Sequence, residues 1–299
     1  MRQHYKSRNP LLQRKRLMEP FSTDTWFSTV TSYEGYNCAQ IFVGNNSKYV
    51  KHYGMRSEGS GPDALLEFFR DAGVPISITR DNSKMQTSNL WNEYMKRYWV
   101  KDKFTEPYHS GQNPAERAMS VQKEKLERIM IESGCTPEAW FRAACHVADV
   151  NNHTANKTLN FRTPAEVHSG ETPDISGLVQ YQFWDPVYYV GHTEKFPTTG
   201  GSERLGRWVG RAHDFGEKMC YWILDEETKQ LVVRSLVRSA KNTKHPNKAL
   251  DEQLANAEKQ DQSFPIITYL NSVWEEDEKL ETPKSIPEKQ DFPKAPKVK

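Results

Sequence analysis

Three acidic residues stand where a carboxylate is either costly to bury or well placed for chemistry: Asp24, Asp81 and Glu116. Their spacing alone is weak evidence, because the 39 acidic residues of this 299-residue chain offer many such triples. Carboxylate oxygens are hard ligands, which suit Mg²⁺ or Mn²⁺ better than zinc. The local sequence around each residue therefore decides whether it could serve as a metal ligand.

Asp24 lies inside a predicted strand, 21–30, beside the large apolar residues Trp26 and Phe27. A carboxylate buried there without a partner would be costly, so the position needs an explanation. One explanation is a functional site. The other is that the strand lies at the edge of a sheet, where Asp24 simply faces solvent.

Asp81 and Glu116 each have an ordinary structural explanation as well. Asp81 follows a predicted strand and precedes Asn82, and taken alone this pair favours a plain turn. Asn113, Pro114 and Glu116 fit the first positions of a long helix, where Glu116 would complete a capping box. The same position also suits a metal ligand, because a helix N-terminus favours negative charge.

The elements that would position these residues are strands and helices in the first 178 residues. Strands rich in β-branched and aromatic residues are predicted at 21–30, 38–43, 49–55, 76–79 and 103–105. Helices with apolar residues at helical spacing are predicted at 62–73, 89–98, 114–132 and 137–151. Helices packed on a sheet in this order indicate an α/β fold of mixed α+β layers.

The composition changes at Leu178, where strand follows strand. These strands are predicted at 183–190, 207–212, 220–224 and 231–237, and they indicate a small β-barrel or sandwich. The chain is accordingly divided into a basic N-terminal arm at 1–19, a core at 20–178, a barrel at 179–240 and a charged, Pro-rich linker or tail at 241–299.

Three segments, taken in order, resemble the D,D-35-E integrase core of copia-class LTR retrotransposons. They are Asp24-Thr25-Trp26, Arg80-Asp81-Asn82-Ser83-Lys84 and the segment 107–117. The segments 159–166 and 170–176 resemble the region that follows this core, and the segment 206–210 resembles the SH3-like domain of the same polyproteins. The resemblance covers residues 20–240 and implies a ribonuclease H-like core followed by a small SH3-like β-barrel.

The resemblance implies that Asp24, Asp81 and Glu116 are the catalytic residues and together hold two Mg²⁺ or Mn²⁺ ions. Ions held in this way activate an attacking oxygen and stabilise a leaving one. The implied activity is DNA end processing and strand transfer, with the element ends and the target DNA as partners and a homo-oligomer as the assembly. The implied location is the nucleus, with a cytoplasmic particle as the alternative. Candidate DNA contacts, for which solvated surface is an equal alternative, are Lys84, Gln86, Gln112, Asn113 and Arg117.

Two departures from the family pattern bear on this interpretation. The segment between Asp81 and Glu116 has 34 residues (82–115), one fewer than the family name states, which a loop can absorb. The His-His-Cys-Cys zinc module of the family has no counterpart in this sequence, and this favours an alternative, a catalytically inactive DNA- or chromatin-binding relic. A third interpretation is a ribonuclease H-type nuclease, against which the second group of strands argues.

The second group of strands carries aromatic and basic residues with separate interpretations. The aromatic residues, predicted to be mostly core, are Trp184, Tyr188, Tyr189, Trp208, Tyr221 and Trp222. The arginines at strand ends, which the family comparison suggests as contacts to the DNA backbone, are Arg204, Arg207, Arg211, Arg234 and Arg238. Cys145, His146 and His153 fit no common zinc spacing, so ordinary core and surface positions are favoured for them.

Composition narrows the class of protein without naming a partner. The 41 basic and 39 acidic residues give a net charge of +2, which does not indicate nucleic-acid binding. The sequence has no apolar run of the roughly 18 residues needed for a membrane span and no secretory signal, so no membrane partner is expected. The four scattered cysteines form no C-x-x-C pair, which favours a reducing, intracellular environment.

Overall fold

Helices cover both faces of a mixed β-sheet in the first part of the chain. The computed structural model describes residues 14–80, 88–104, 114–191, 202–216, 219–242 and 244–262. The first sheet contains the strands β1 (Arg16–Phe27), β2 (Cys38–Gly44), β3 (Val50–Met55), β4 (Val74–Arg80) and β5 (Lys101–Phe104). Their order is β3-β2-β1-β4-β5, with β1, β2 and β3 antiparallel and β4 parallel to both β1 and β5. β1 is therefore the central strand.

One face of this sheet is covered by α1 (Gly61–Asp71) and α2 (Asn89–Arg97). Pro62, the second residue of α1, has a preset backbone angle that favours the first turn of a helix. The helix buries Phe68, whose ring stacks on Phe42 of β2 with ring centres 4.2 Å apart. Gly73 lies in the turn between α1 and β4 and has a φ of +118°. A Cβ atom at this position would lie 2.9 Å from the carbonyl oxygen of Lys15. Only glycine fits this turn without strain, and the turn directs the chain into β4.

The other face is covered by α3 (Pro114–Ser133) and α4 (Trp140–Asn152), followed by the short α5 (Pro164–Ser169). Ala115 of α3 and Ala148 of α4 belong to one buried cluster with Ile41 of β2. Thr163 caps α5, because its hydroxyl accepts a hydrogen bond from the Glu166 backbone N–H at 3.1 Å. The predicted arrangement of helices on a sheet is confirmed, and the fold is mixed α+β.

A second sheet follows, formed by β6 (Pro186–Val190), β7 (Glu203–Arg211), β8 (Tyr221–Asp225), β9 (Leu231–Arg234) and β10 (Val237–Ser239). Its order is β10-β6-β7-β8-β9, and all its pairs are antiparallel. Of the six aromatic residues predicted to be mostly core, five are buried and Trp222 is half-buried. Closure of this sheet into an SH3-like barrel, and the domain limits 1–19, 20–178, 179–240 and 241–299, stay predictions.

A sixth helix, α6 (Asp251–Gln262), lies in the stretch for which the sequence predicted only a linker or tail. Its residues Leu254 and Ala257 pack with Leu250 against Tyr188 and Leu205 of the second sheet. The helix was not predicted because its apolar stripe is narrow and most of its other residues are charged or polar. In the described part of the chain, no helix is long and apolar enough to cross a membrane.

Candidate active site

Asp24 lies in the middle of the central strand β1 and directly opposite Ile41 of β2. Its side chain is half-buried, and its Oδ1 atom accepts a hydrogen bond from the Thr25 backbone N–H at 2.7 Å. Because β1 has β2 on one side and β4 on the other, the alternative that Asp24 faces solvent from an edge strand is wrong.

The pairing of Asp24 with Ile41 also fixes the face of the sheet on which the carboxylate lies. Residues directly opposite each other on antiparallel strands point their side chains to the same face. Ile41 packs with Ala115 and Ala148, which belong to α3 and α4. Asp24 therefore lies on the face that these two helices cover.

Glu116 lies in the first turn of α3, immediately after the fully buried Ala115. The Glu116 side chain is half-buried, so it is neither sealed in the core nor extended into bulk solvent. Since Ala115 shares a buried cluster with Ile41, the first turn of α3 lies over the part of the sheet that contains Asp24. Two of the three predicted carboxylates thus lie on one face of the first sheet.

The remaining predicted site residues are divided by the limits of the described structure. Arg117 is exposed in the first turn of α3, next to Glu116. The others lie outside the described residues: Asp81, Lys84, Gln86, Gln112 and Asn113. The last described residue of β4 is Arg80, and the residue immediately before it, Thr79, pairs with Ser22 of β1.

Arg80 has a structural role that the sequence did not reveal. Its guanidinium is buried, with 1% of the residue exposed, and its Nε donates to Asp102 Oδ1 of β5 at 2.7 Å. A second hydrogen bond, 2.8 Å long, runs from its Nη2 to Asn92 Oδ1 of α2, and the guanidinium carbon lies 4.6 Å from the centre of the Phe104 ring. These contacts fix the end of β4 against β5 and α2. The only sequence signal would have been an arginine in a buried strand with an acid in the next strand.

The donor set of Asp24 and Glu116 suits a hard divalent cation. Two half-buried carboxylates offer oxygen ligands that remain accessible to an ion and to water, as Mg²⁺ requires. In the described ranges, no group of three or more His, Cys, Asp or Glu side chains could hold a metal ion. A three-carboxylate site would need Asp81 as well.

Most of the arginines suggested as DNA contacts on the second sheet bind groups within the protein. Arg207 pairs with Glu226 at 3.2 Å, and Arg238 pairs with Glu203 at 2.6 Å. Arg211 pairs with Asp149 of α4 at 2.7 Å. Arg234 donates to the carbonyl oxygens of Val190 and Val233, which leaves Arg204 as the exposed member of the five.

The residues considered and set aside for zinc occupy ordinary positions. His146 is buried and stacks on Phe183 with ring centres 5.4 Å apart. His153 caps α4 and lies 3.2 Å from Asp149. Burial raises the pKa of the Cys145 thiol to about 11, so this thiol stays protonated at neutral pH.

No protein-family model matches the chain, and no curated protein matches it. Among solved structures, the HTLV-2 integrase catalytic core domain in complex with magnesium is similar in its trimeric form at 19% identity and a TM-score of 0.41, over 52% of this chain and 99% of that one. The dimeric form of the same domain gives 17% identity and a TM-score of 0.40, over 52% and 100% of the two chains.

A third similar structure is a simian T-cell lymphotropic virus intasome in complex with the PP2A regulatory subunit B56 gamma. It has 16% identity and a TM-score of 0.44, over 75% of this chain and 79% of that one. With TM-scores below 0.5, these likenesses assign neither a fold nor a function to the chain.

Proposed function

We propose that this chain is a DDE-type polynucleotidyl transferase of the retrotransposon integrase kind, which processes DNA ends and joins them to a target. In this proposal the first sheet with its helices is a ribonuclease H-like core, and the second sheet is an SH3-like barrel. Asp24, Asp81 and Glu116 are the catalytic residues and the ligands of two Mg²⁺ or Mn²⁺ ions.

One observation carries the proposal: Asp24 on the central strand and Glu116 at the start of α3 lie on the same face of one sheet. Asp81 follows β4, the strand parallel to β1, and Ser22 pairs with Thr79. Asp24 and Asp81 each come two residues after a member of that pair, so a continued register would bring them side by side. The strand register and the sequence positions thus support a shared site for Asp24 and Asp81. The order of the two residues also agrees with the motif order of the family that the sequence resembles.

Each part of the chain has a distinct task in this proposal. Asp24 sits on a rigid central strand, which holds a ligand more accurately than a loop does. Glu116 is fixed by the packing of Ala115 beneath it. Divalent ions, when bound there, would supply the charge that activates the attacking oxygen of water or of a DNA 3′-hydroxyl and stabilises the leaving oxygen. No side-chain nucleophile is needed, and Arg117 is placed beside Glu116 to contact a DNA phosphate.

The proposal is tested by the joining of labelled duplex oligonucleotides to a plasmid in Mg²⁺ or Mn²⁺. Glu116→Gln keeps the shape of the side chain and removes its charge, so joining is expected to fall at least about 100-fold. Glu124→Gln is the matched control, because Glu124 is exposed on the same helix and is expected to leave joining unchanged. Equal joining by wild type and by Glu116→Gln would reject the catalytic assignment.

The alternative, a DNA- or chromatin-binding relic without catalysis, makes a different prediction for the same preparations. Wild type would bind DNA in a salt-dependent manner, yet no joining or cleavage would occur in either metal. Self-association on DNA ends and a nuclear location belong to the first proposal and would be measured separately.

A further inference from the structure

The edge strand β5 presents two lysines, Lys101 and Lys103, on one face of the first sheet. Successive residues of a strand point to opposite faces of its sheet. Asp102, which lies between the two lysines, accepts a hydrogen bond from Arg80, and Arg80 also donates to Asn92 of α2. Asp102 therefore lies on the face that α2 covers, and both lysines lie on the other face.

This other face is the one that carries Asp24. Ser22 pairs with Thr79, and Thr79 pairs with Lys103, so the three residues form a row across β1, β4 and β5. Asp24 comes two residues after Ser22 and shares its face. Because neighbouring strands lie about 4.8 Å apart, the backbones of Lys103 and Ser22 are about 10 Å apart. Lys103 is thus close enough to touch a DNA strand that ends at Asp24.

The surface between the two lysines and Asp24 is the side of this face away from its helices. In the described part of the chain, α3 packs chiefly on β1 and β2, and α4 packs on β3. These strands lie towards the edge of the sheet opposite β5. Lys101 and Lys103 are both exposed, and Thr79 beside them is half-buried. A large ligand can therefore approach the lysines and the first sheet from the same side.

The acids on the neighbouring strands do not neutralise the two lysines. Neither lysine makes an ion pair with another described residue. Asp102 binds a buried arginine on the opposite face, and Glu19 of β1 accepts hydrogen bonds from the turn between β2 and β3. The other described acid on β1, β4 and β5 is Asp24, a proposed metal ligand.

Two further acids near these strands in sequence, Asp81 and Glu106, lie outside the described residues. An ion pair with either of them would give the lysines a role within the protein. The experiment below therefore includes a measurement that separates such a role from binding to DNA.

The spacing of the lysines matches a repeating anion. Lys101 and Lys103 are two residues apart on one strand, which places their backbones about 7 Å apart. This is comparable to the separation of neighbouring phosphates along a DNA strand. A lysine ammonium group is a compact point charge on a flexible stem, and it binds phosphate without demanding one exact geometry.

We propose that Lys101 and Lys103 bind neighbouring backbone phosphates of duplex DNA and so lead the DNA across β4 to Asp24. This inference rests on the proposed function and names the surface that carries its substrate. The two lysines are positioning residues, since the proposed chemistry belongs to the carboxylates and their metal ions. Contacts to phosphate fix the place and orientation of the DNA and carry no sequence information of their own.

The test measures the binding of a fluorescein-labelled duplex oligonucleotide to the full chain by fluorescence anisotropy. EDTA is present, so that binding is observed without cutting or joining, and the NaCl concentration is varied. The logarithm of the binding constant falls linearly with the logarithm of the salt concentration, with a slope set by the number of phosphates neutralised. Lys101→Gln and Lys103→Gln are each expected to reduce this slope by about 1, and the double variant by about 2.

Two further variants serve as controls. Lys96→Gln makes the same change of charge on an exposed residue of α2, on the opposite face, and should keep the wild-type slope. Lys103→Arg keeps the charge and should also keep the slope. Every variant should keep the wild-type melting temperature, because the substituted side chains are exposed. In the joining assay, the double variant is expected to raise the KM for DNA about tenfold and to leave kcat unchanged.

Three outcomes would overturn the proposal while leaving the catalytic assignment intact. The first is an unchanged salt slope in the double variant. The second is an equal loss of slope in Lys96→Gln, which would show that net charge alone matters. The third is a fall in kcat with an unchanged slope, which would mean that the lysines act on acidic residues of the protein.

Failure of the proposed function itself would look different. Joining that is unaffected by Glu116→Gln would reject the catalytic assignment, whatever the lysine variants do. A wild-type chain that binds no DNA at any salt concentration would overturn both proposals.

Discussion

Arg211 of β7 binds Asp149 of α4 through two hydrogen bonds, from Nε to Oδ2 at 2.8 Å and from Nη2 to Oδ1 at 2.7 Å. Both side chains are 12% exposed, so this bidentate pair is largely shielded from solvent. It joins the second sheet to the helix that covers the first one. Ala143 and Ala144 of α4 pack beside it against Val209. The two sheets are thus held together by packing and by a charged pair.

This pair makes stability depend on pH. Burial alone would raise the pKa of Asp149, but hydrogen bonds from His153, His213 and Arg211 outweigh it and hold the pKa well below its usual range. A carboxyl with a lowered pKa stabilises the fold above its unfolded pKa of about 3.9, and this contribution is lost as the pH falls below that value. Asp149→Asn is therefore expected to lower the melting temperature at pH 7 and to flatten its decline between about pH 5 and pH 2.

The measurement is thermal unfolding over that pH range for wild type and variant. Asp63→Asn serves as the control, because Asp63 is exposed on α1 and should keep the wild-type slope. An Asp149→Asn variant with the same acid slope as wild type would contradict the assignment.

The buried guanidinium of Arg80 predicts a large effect of its partner Asp102. Asp102→Asn would leave the charge of Arg80 buried and uncompensated, which is expected to cost about 3 kcal/mol of the free energy of unfolding. Urea denaturation measures the change. Glu93→Gln breaks the exposed pair with Arg97 and should cost less than about 1 kcal/mol. Similar losses in the two variants would show that Arg80 is better solvated than the structure indicates.

Gly54 is predicted to be required for stability, because the ring of Tyr36 leaves no room for a side chain at this position. A Cβ atom at Gly54 would lie 2.2 Å from Cδ2 of the Tyr36 ring, and this ring packs edge-on against Phe141 with centres 4.9 Å apart. Gly54→Ala is expected to destabilise the protein by about 2 kcal/mol, because the ring cannot retreat freely.

Gly59→Ala is the control for that substitution, since the nearest atom to its Cβ would be Ser57 Oγ at 3.7 Å. Adding Tyr36→Ala to Gly54→Ala should make the glycine substitution nearly neutral relative to Tyr36→Ala alone. If the glycine substitution costs the same in both backgrounds, the clash with Tyr36 is not the cause.

The sequence predicted the elements of the first sheet well because their patterns are local. The helix from Pro114 was predicted to end at 132 and ends at Ser133, and β2 differs from its prediction by one residue. β1 is longer than predicted and begins at Arg16. Its first residues were not predicted as strand because they mix charged and apolar side chains. The central position of β1, which excludes the edge-strand explanation for Asp24, follows from strand order and could not be read from local pattern.

Long-range partners were the part that the sequence could not supply. Arg211 was suggested as a DNA contact, yet it pairs with Asp149, 62 positions earlier in the chain. The sequence around Arg211 does not indicate this partner, because many other acidic residues of the chain could equally have paired with it. The helix α6 was missed for a related reason, since the surface it packs on exists only after the second sheet has formed.

The most direct test of the central claim is a crystal structure of the full chain grown with Mn²⁺, with anomalous scattering used to locate the ions. We expect anomalous peaks bound by Asp24, Asp81 and Glu116, with the three carboxylates within about 8 Å of one another. Carboxylates farther apart than that, or manganese bound elsewhere while these three side chains stay free, would contradict it.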